Sequence, residues 1–322
     1  MPLDHFISQV HLKNWYDPKL GKRMHAIRKT DLKQYQCDSV SQCRVEEGNT
    51  NTYLEDQRAV EEFLKSVEGR YNASADELRQ GNPTGEAIYS IAGFVSYVMS
   101  CSPAAMRINI PMFAGGVHIL AEMLDRRGEL PQAPAELGGG TIGEMIADGR
   151  VVVNVDPKFP QAVGIGTIMD RISSFGNFAW DILINAHEDT PFFTSDYPIA
   201  NEDTRDPRIL NRIVPLAPNL AVRIKPNIRG IRAKGFDFKD FRYRTLKLSR
   251  SEVVDINRRL VRSAEAVVYH SKELSWIPGF VAKNRNYRVE GWNENFDTGG
   301  GILQLSRQNT RPYIYEVEET HE

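Results

Sequence analysis

A chain of 322 residues with 41% hydrophobic residues and a formal charge of -2 can bury a sizeable core, as one large domain or two of ordinary size. Its three cysteines, Cys37, Cys43 and Cys101, lack the paired spacing of a zinc ribbon and the density of a disulfide-stapled secreted domain, so reduced thiols in a cytoplasmic protein are expected. The opening MPLDHFISQVHLKNW has neither the basic start nor the apolar run of a secretion signal, and the most apolar window, residues 87–99, is too short to cross about 30 Å of hydrocarbon, so no membrane span is expected.

In chain order, residues 5–15 mix apolar and polar side chains without settling on one period, and are expected as a short helix or extended arm on the core. Residues 22–29 and 43–47 are candidate strands of a small antiparallel element. Val60, Phe63, Leu64 and Val67 fall at i, i+3, i+4 and i+7, the apolar stripe of a helix ending near Gly69. Glu61 and Glu68 share one edge of that stripe, about 10.5 Å apart along the axis, while Glu62 points the other way.

A second helix spans 86–100 and ends at Pro103; Pro111 helps start a third through Phe113, Val117, Leu120 and Leu124. The Pro- and Gly-rich stretch 130–140 reads as an exposed connector, followed by a strand over 151–155. Residues 160–175 are expected to be helical. The Gly164-Ile165-Gly166 string lacks the third glycine and the strand-to-turn context of a dinucleotide loop, so its glycines are read as structural.

Phe192-Phe193-Thr194-Ser195-Asp196 is an apolar, β-favouring run closed by Pro198, as a buried central strand delivering a carboxylate to its end would be. Strands over 213–216 and 220–225 follow. Ser249 with Glu252 forms a capping box opening a helix whose Val253, Ile256, Leu260, Ala264 and Val267 face inward, and 276–319 completes an edge of the sheet. The expected fold is α+β, a helical layer packed on a mixed or antiparallel sheet. It is read as one domain over 1–322, with a subdivision near 130–150 into an N-terminal helical part and a C-terminal sheet part as the alternative.

Four segments, His5-Phe6…Gln9…Leu12…Asn14-Trp15, Val60-Glu61…Leu64…Glu68, Trp180…Phe193-Thr194-Ser195-Asp196…Pro198 and Val214-Pro215-Leu216…Pro218, together resemble the bacterial domain-of-unknown-function family numbered 4238. The likeness covers most of residues 5–270 and implies no settled activity. One departure stands out: where the family commonly has Arg-Thr-Pro, this chain has Cys101-Ser102-Pro103, with Arg107 nearby as a substitute positive charge.

The sharpest chemical reading groups His5, Glu61, Glu68 and Asp196 as a polar cluster. Carboxylates and an imidazole can hold a divalent cation, Mg²⁺ or Mn²⁺, that activates water against a phosphodiester. His5, Asp196 and Glu61 would be metal ligands, and the separation of Glu61 from Glu68 makes one of them a general base or outer group. Gln9, Ser195 and Arg107 would then orient substrate. The competing reading is structural: Asp196 in an Asx-turn, Glu61 or Glu68 paired with Lys65, and His5 hydrogen-bonded beside Phe6.

A second signal is the segment 205–262, with sixteen basic residues, Arg242 and Arg244 among them, against Asp206, Asp237, Asp240, Glu252 and Asp255. Interleaved with Phe236, Phe238, Phe241 and Tyr243, it suits a nucleic-acid partner. The same charges equally suit neutralisation of an acidic remainder, within the fold or across a homo-oligomer. Ser195 lies outside any GxSxG elbow and Cys101 has no identifiable histidine partner, so nucleophilic catalysis is not expected. The expected function is a metal-assisted nuclease or phosphodiesterase, with a non-catalytic nucleic-acid- or protein-binding module and a small-ligand-binding protein as alternatives.

Overall fold

The computed structural model describes residues 2–227, 235–298 and 301–315. The chain opens with β1 (Leu3–His5) and α1 (Gln9–Lys13), then β2 (Met24–Arg28), β3 (Gln34–Cys37) and β4 (Arg44–Glu46). A helical stretch follows: α2 (Val60–Glu68), α3 (Tyr71–Gln80), α4 (Gly85–Cys101), α5 (Pro103–Arg126), α6 (Ile142–Ala147), α7 (Lys158–Gly166) and α8 (Ile168–Gly176). The sheet-forming part comprises β5 (Ala179–Ile184), β6 (Thr194–Ser195), β7 (Ala200–Asp203), β8 (Leu210–Ala217), β9 (Leu220–Lys225) and β10 (Arg242–Lys247). It continues with α9 (Arg250–Ser263), β11 (Val267–His270), α10 (Trp276–Asn284), β12 (Tyr287–Asp297) and β13 (Ile302–Pro312).

The fold is α+β. The main sheet runs in the order β10-β5-β9-β8-β7, antiparallel except where β10 pairs parallel to β5. Side chains alternate across it, so Trp180, Ile182, Val214, Leu216, Val222 and Ile224 meet the helical layer around the buried α4. Leu183, Ile213 and Ala221 face α9 instead. A second sheet, β3-β2-β11-β6, packs on the same α9 through Ile27, Phe193 and Val268 with Val261 and Ala264. Thus α9 is the wedge between two sheets, and Ser249 and Glu252 cap it as a capping box.

The 192–196 run differs from its expected place. Only Thr194 and Ser195 are paired, at the edge of the smaller sheet. Phe192 and Phe193 are buried as extended backbone that bonds elsewhere, Phe192 N to the Pro218 carbonyl and Phe193 N to Asn257 Oδ1. An apolar run bounded by polar residues does not tell a ladder strand from a buried extended segment whose donors find other partners.

Other boundaries moved for similar reasons. Residues 151–155 form no strand: among the described residues no strand pairs with them, Val151 N donates to the Met145 carbonyl, and Val152 is exposed. The 160–175 helix is two helices broken at Thr167, and Gly164 permits close approach to α4, since a Cβ there would lie 2.9 Å from Ser100 Cβ. Pro111 lies inside α5, which starts at Pro103 instead; Ser102 ends α4 and caps α5, its Oγ accepting from Ala105 N. The 22–29 and 43–47 strands do not pair with each other, β2 joining β3 and β11 and β4 joining β1.

Helix α9 stops at Ser263, leaving Val267 to β11. Beyond it, β12 and β13 pair only with each other among the described residues, and this hairpin lies on α5 rather than at a sheet edge; residues 316–319 of that expectation fall outside the described residues. By length and composition α5 is apolar enough to cross a membrane, and 28% of its apolar window is buried.

Candidate functional site

The residues singled out by the sequence are each held by a different partner. The Asp196 carboxylate is buried and caps the bend between α9 and β11: Oδ1 accepts from Glu265 N at 2.9 Å, Oδ2 from Ala266 N at 2.7 Å and Val267 N at 3.1 Å. Burial raises its pKa against these donors and the nearby Lys29 ammonium. Burial lowers that of Lys29, whose Nζ donates to the carbonyls of Ala264 and Tyr287. Ser195 Oγ accepts from Tyr197 N.

The His5 ring turns to another loop, its Nε2 lying 3.1 Å from the carbonyls of both Ser39 and Val40. Gln9 Oε1 accepts from Ser39 Oγ in the same loop. Glu61 bonds Asn49 and Arg58, and Lys65 pairs with Glu62 rather than with Glu61 or Glu68. Glu61 and Glu68 both act on buried Tyr97, whose hydroxyl is 2.8 Å from the His5 carbonyl and from Asn49 Oδ1. The structure therefore links Glu61, through Asn49, and the His5 backbone to the Tyr97 hydroxyl, with the His5 ring and Asp196 turned elsewhere. Among the described residues no group of three or more His, Cys, Asp or Glu is set to hold a metal ion.

Arg107 is also committed. It binds Glu265 through two 2.8 Å contacts, Glu290 at 2.7 Å and the Val289 carbonyl. Cys101 is buried, which pushes its thiol up to about 12, far from a nucleophilic thiolate.

In the basic segment, eight of the thirteen cations among the described residues have carboxylate partners: Arg208, Arg223, Lys225, Lys239, Arg244, Arg250, Arg258 and Arg259. Arg223, Lys225 and Arg244 converge on one carboxylate, Asp181, whose side chain is 1% exposed. Burial raises the Asp181 pKa, but the three cations outweigh it and hold the group below the usual carboxylate range. Arg262 bonds Asn284 and lies over the Tyr287 ring. Arg242 is exposed, and Arg229, Arg232 and Lys234 lie outside the described residues.

What three of the resemblance segments do share is a different place. Fully buried His11 is 2.6 Å from Tyr71 Oη through Nδ1 and 2.7 Å from Thr194 Oγ1 through Nε2. Burial lowers its pKa to about 3, so a neutral ring ties α1, α3 and β6 together. Trp15 Nε1 donates to the Phe192 carbonyl and Asn14 Nδ2 to the Leu216 carbonyl and Asn72 Oδ1.

These bonds border a cavity of about 710 Å³ at the β8–β9 turn, lined by Asn14, Asn72, Asn185, Asn219, His187 and the pairs Arg79–Asp76 and Lys272–Glu188. Asn185 is fully used by the wall, Nδ2 donating to the Thr190 carbonyl and Oδ1 accepting from His187 N. Asn14 Oδ1 and Asn72 Nδ2 keep unused hydrogen-bonding capacity. Sequence reasoning missed this site because its asparagines are scattered over four segments; the one local signal was His11, Asn14 and Trp15 at i, i+3 and i+4.

The family described as protein of unknown function, DUF4238, matches residues 4–273. No curated protein and no solved structure matches the chain.

Proposed function

Because the chain belongs to the DUF4238 family, whose description names no activity, we propose its function from geometry: it is a small-ligand-binding protein whose asparagine-lined cavity takes a neutral, hydroxyl-rich molecule. The carrying observation is the charge balance of the wall. Its two cations and two carboxylates are paired with each other, Arg79 with Asp76 and Lys272 with Glu188, leaving carboxamides as the open polar groups. A carboxamide offers donor and acceptor side by side, as vicinal hydroxyls do, whereas each charge in the wall already has an opposite partner. The volume lies in the range of small-molecule sites.

The metal-assisted hydrolysis reading requires His5, Glu61 and Asp196 to share an ion, and their side chains are engaged with the 38–40 loop, Arg58 and the 265–267 backbone respectively. Calorimetric titration with a panel of neutral monosaccharides, disaccharides and polyols tests the binding reading. At least one is expected to bind, with affinity falling about tenfold in Asn72→Leu, the cost of one lost hydrogen bond. Absence of binding across the panel, or binding indifferent to Asn72→Leu, would sink it.

A further inference from the structure

The cavity just described abuts the C-terminal end of β5. At the opposite end of that strand, on the face toward the helices, lies a second cavity of about 410 Å³. Its wall combines apolar Met99, Ile108, Phe175 and Phe178 with the polar side chains of Arg171 and Tyr197. Arg212 is not part of this wall, but it acts on the wall's Tyr197. It shares the helical face of β8 with Val214 and Leu216, two and four residues on.

Arg212 is 8% exposed and Tyr197 2% exposed. The strongest charge acting on the Tyr197 hydroxyl is Arg212 and the next is Arg171. Glu265 also faces it, but Glu265 is bound through both oxygens to Arg107.

Neither guanidinium has a carboxylate partner among the described residues. Arg171 uses Nη1 on the Ser96 carbonyl at 3.2 Å and on Ser100 Oγ at 2.6 Å. Among the described residues Arg212 makes one side-chain hydrogen bond, Nη1 to the Leu210 carbonyl at 3.5 Å, at the limit of such a bond. The two cations stand close enough that Arg171 further disfavours the charge on Arg212.

Beside Arg212, on the neighbouring strand, is Asn201, its direct cross-strand partner and 5% exposed. Cross-strand partners project to the same face, and Asn201 Nδ2 is a buried donor with no acceptor. Two adjacent cations and an orphaned amide without an acceptor are costly in an apolar interior unless an anion satisfies them.

We propose that this place is an anion site, in which Arg171, Arg212, Asn201 Nδ2 and the Tyr197 hydroxyl receive a phosphate monoester whose organic body lies against Phe175, Phe178 and Ile108. Two guanidinium charges match the dianion of a phosphate monoester better than a monoanionic carboxylate, and planar guanidinium forks suit its oxygens. Acidic Asp170 in the same wall opposes a second anionic group on the ligand body.

Thermal unfolding in buffer free of phosphate and sulfate tests this with phenyl phosphate, benzoate and phenol as probes. Phenyl phosphate is expected to raise the Tm by several degrees at millimolar concentration, benzoate less and phenol not at all. Arg212→Met is expected to lose that response while unfolding, without probe, at or above the wild-type Tm, because it removes an uncompensated buried charge. Asn201→Leu, close in volume, is expected to weaken phenyl phosphate binding about tenfold and serves alone if Arg212→Met fails to fold. The proposal is overturned if phenyl phosphate leaves the wild type unmoved, if phenol or benzoate matches it, or if both variants respond as the wild type does.

Discussion

At the bend from α9 into β11, the Asp196 carboxylate receives three backbone N–H groups. Asp196→Ala would strand those donors in a buried bend, so it is expected to cost about 3–5 kcal/mol in urea unfolding. The loss should be equal with Mn²⁺ or EDTA present; a loss seen only with metal would restore the ion-ligand reading. Asp196 was visible in the sequence as the polar end of an apolar run, but its partners, residues 265–267, are remote along the chain. A carboxylate that caps such a bend looks the same in sequence as one that meets a ligand. His11 and His270 add a pH dependence, burial lowering their pKa values to about 3 and about 4. Both folded values lie below the unfolded value of about 6.5, so this stability is fully present above pH 6.5. It declines as pH falls, because the unfolded chain takes up the protons first, by about 1.4 kcal/mol per pH unit for each histidine. Asp196, its pKa raised by burial, takes up its proton in the folded state first and opposes the histidines over this range. Denaturant titrations between pH 6 and pH 4.5 should therefore show a slope in His11→Gln that differs from the wild type by about 1.4 kcal/mol per pH unit; an unchanged slope in the variant would refute the assignment.

Elements were legible where local chemistry decides them. The Ser249 and Glu252 capping box starts α9 where the sequence places it, and the stripe Val60, Leu64 and Val67 is buried on α2. Where a long-range partner decides, the pattern misleads: residues 151–155 have the composition of a strand but no strand to pair with among the described residues, and 192–193 are buried without joining a ladder. Ser102 shows what one residue between two helices can do. Its Oγ donates to the Val98 carbonyl at 2.7 Å and accepts from Ala105 N at 3.1 Å, closing α4 and opening α5. Ser102→Ala is expected to lower stability by about 1–2 kcal/mol in urea titration. A change within error would show that Pro103 alone sets the junction. Arg107, one turn further along α5, is occupied by Glu265 and Glu290.

Across the whole molecule, part of the basic excess of 205–262 is neutralised by carboxylates from outside the segment. Three of its cations, Arg223, Lys225 and Arg244, meet on Asp181, which lies on β5 outside that segment. Composition exposed the charge excess, but only the sheet order, which sets β9 and β10 on either side of β5, shows where it is neutralised. Asp181→Ala leaves Lys225 and Arg244 without their carboxylate beside Arg223, which keeps Glu202, and is expected to destabilise by about 2 kcal/mol, partly recovered by a second change, Lys225→Met. Failure of that second change to recover stability in urea titration would show that the cations do not repel as described. The same topology collects Asn14, Asn72, Asn185 and Asn219 from separate segments around one charge-balanced cavity. Saturation-transfer NMR on a mixture of neutral sugars and polyols tests that cavity most directly, comparing wild type with Asn72→Leu. Signal from at least one compound in the wild type, lost in the folded variant, is predicted; no signal from any compound, or a signal that persists in Asn72→Leu, would contradict the account.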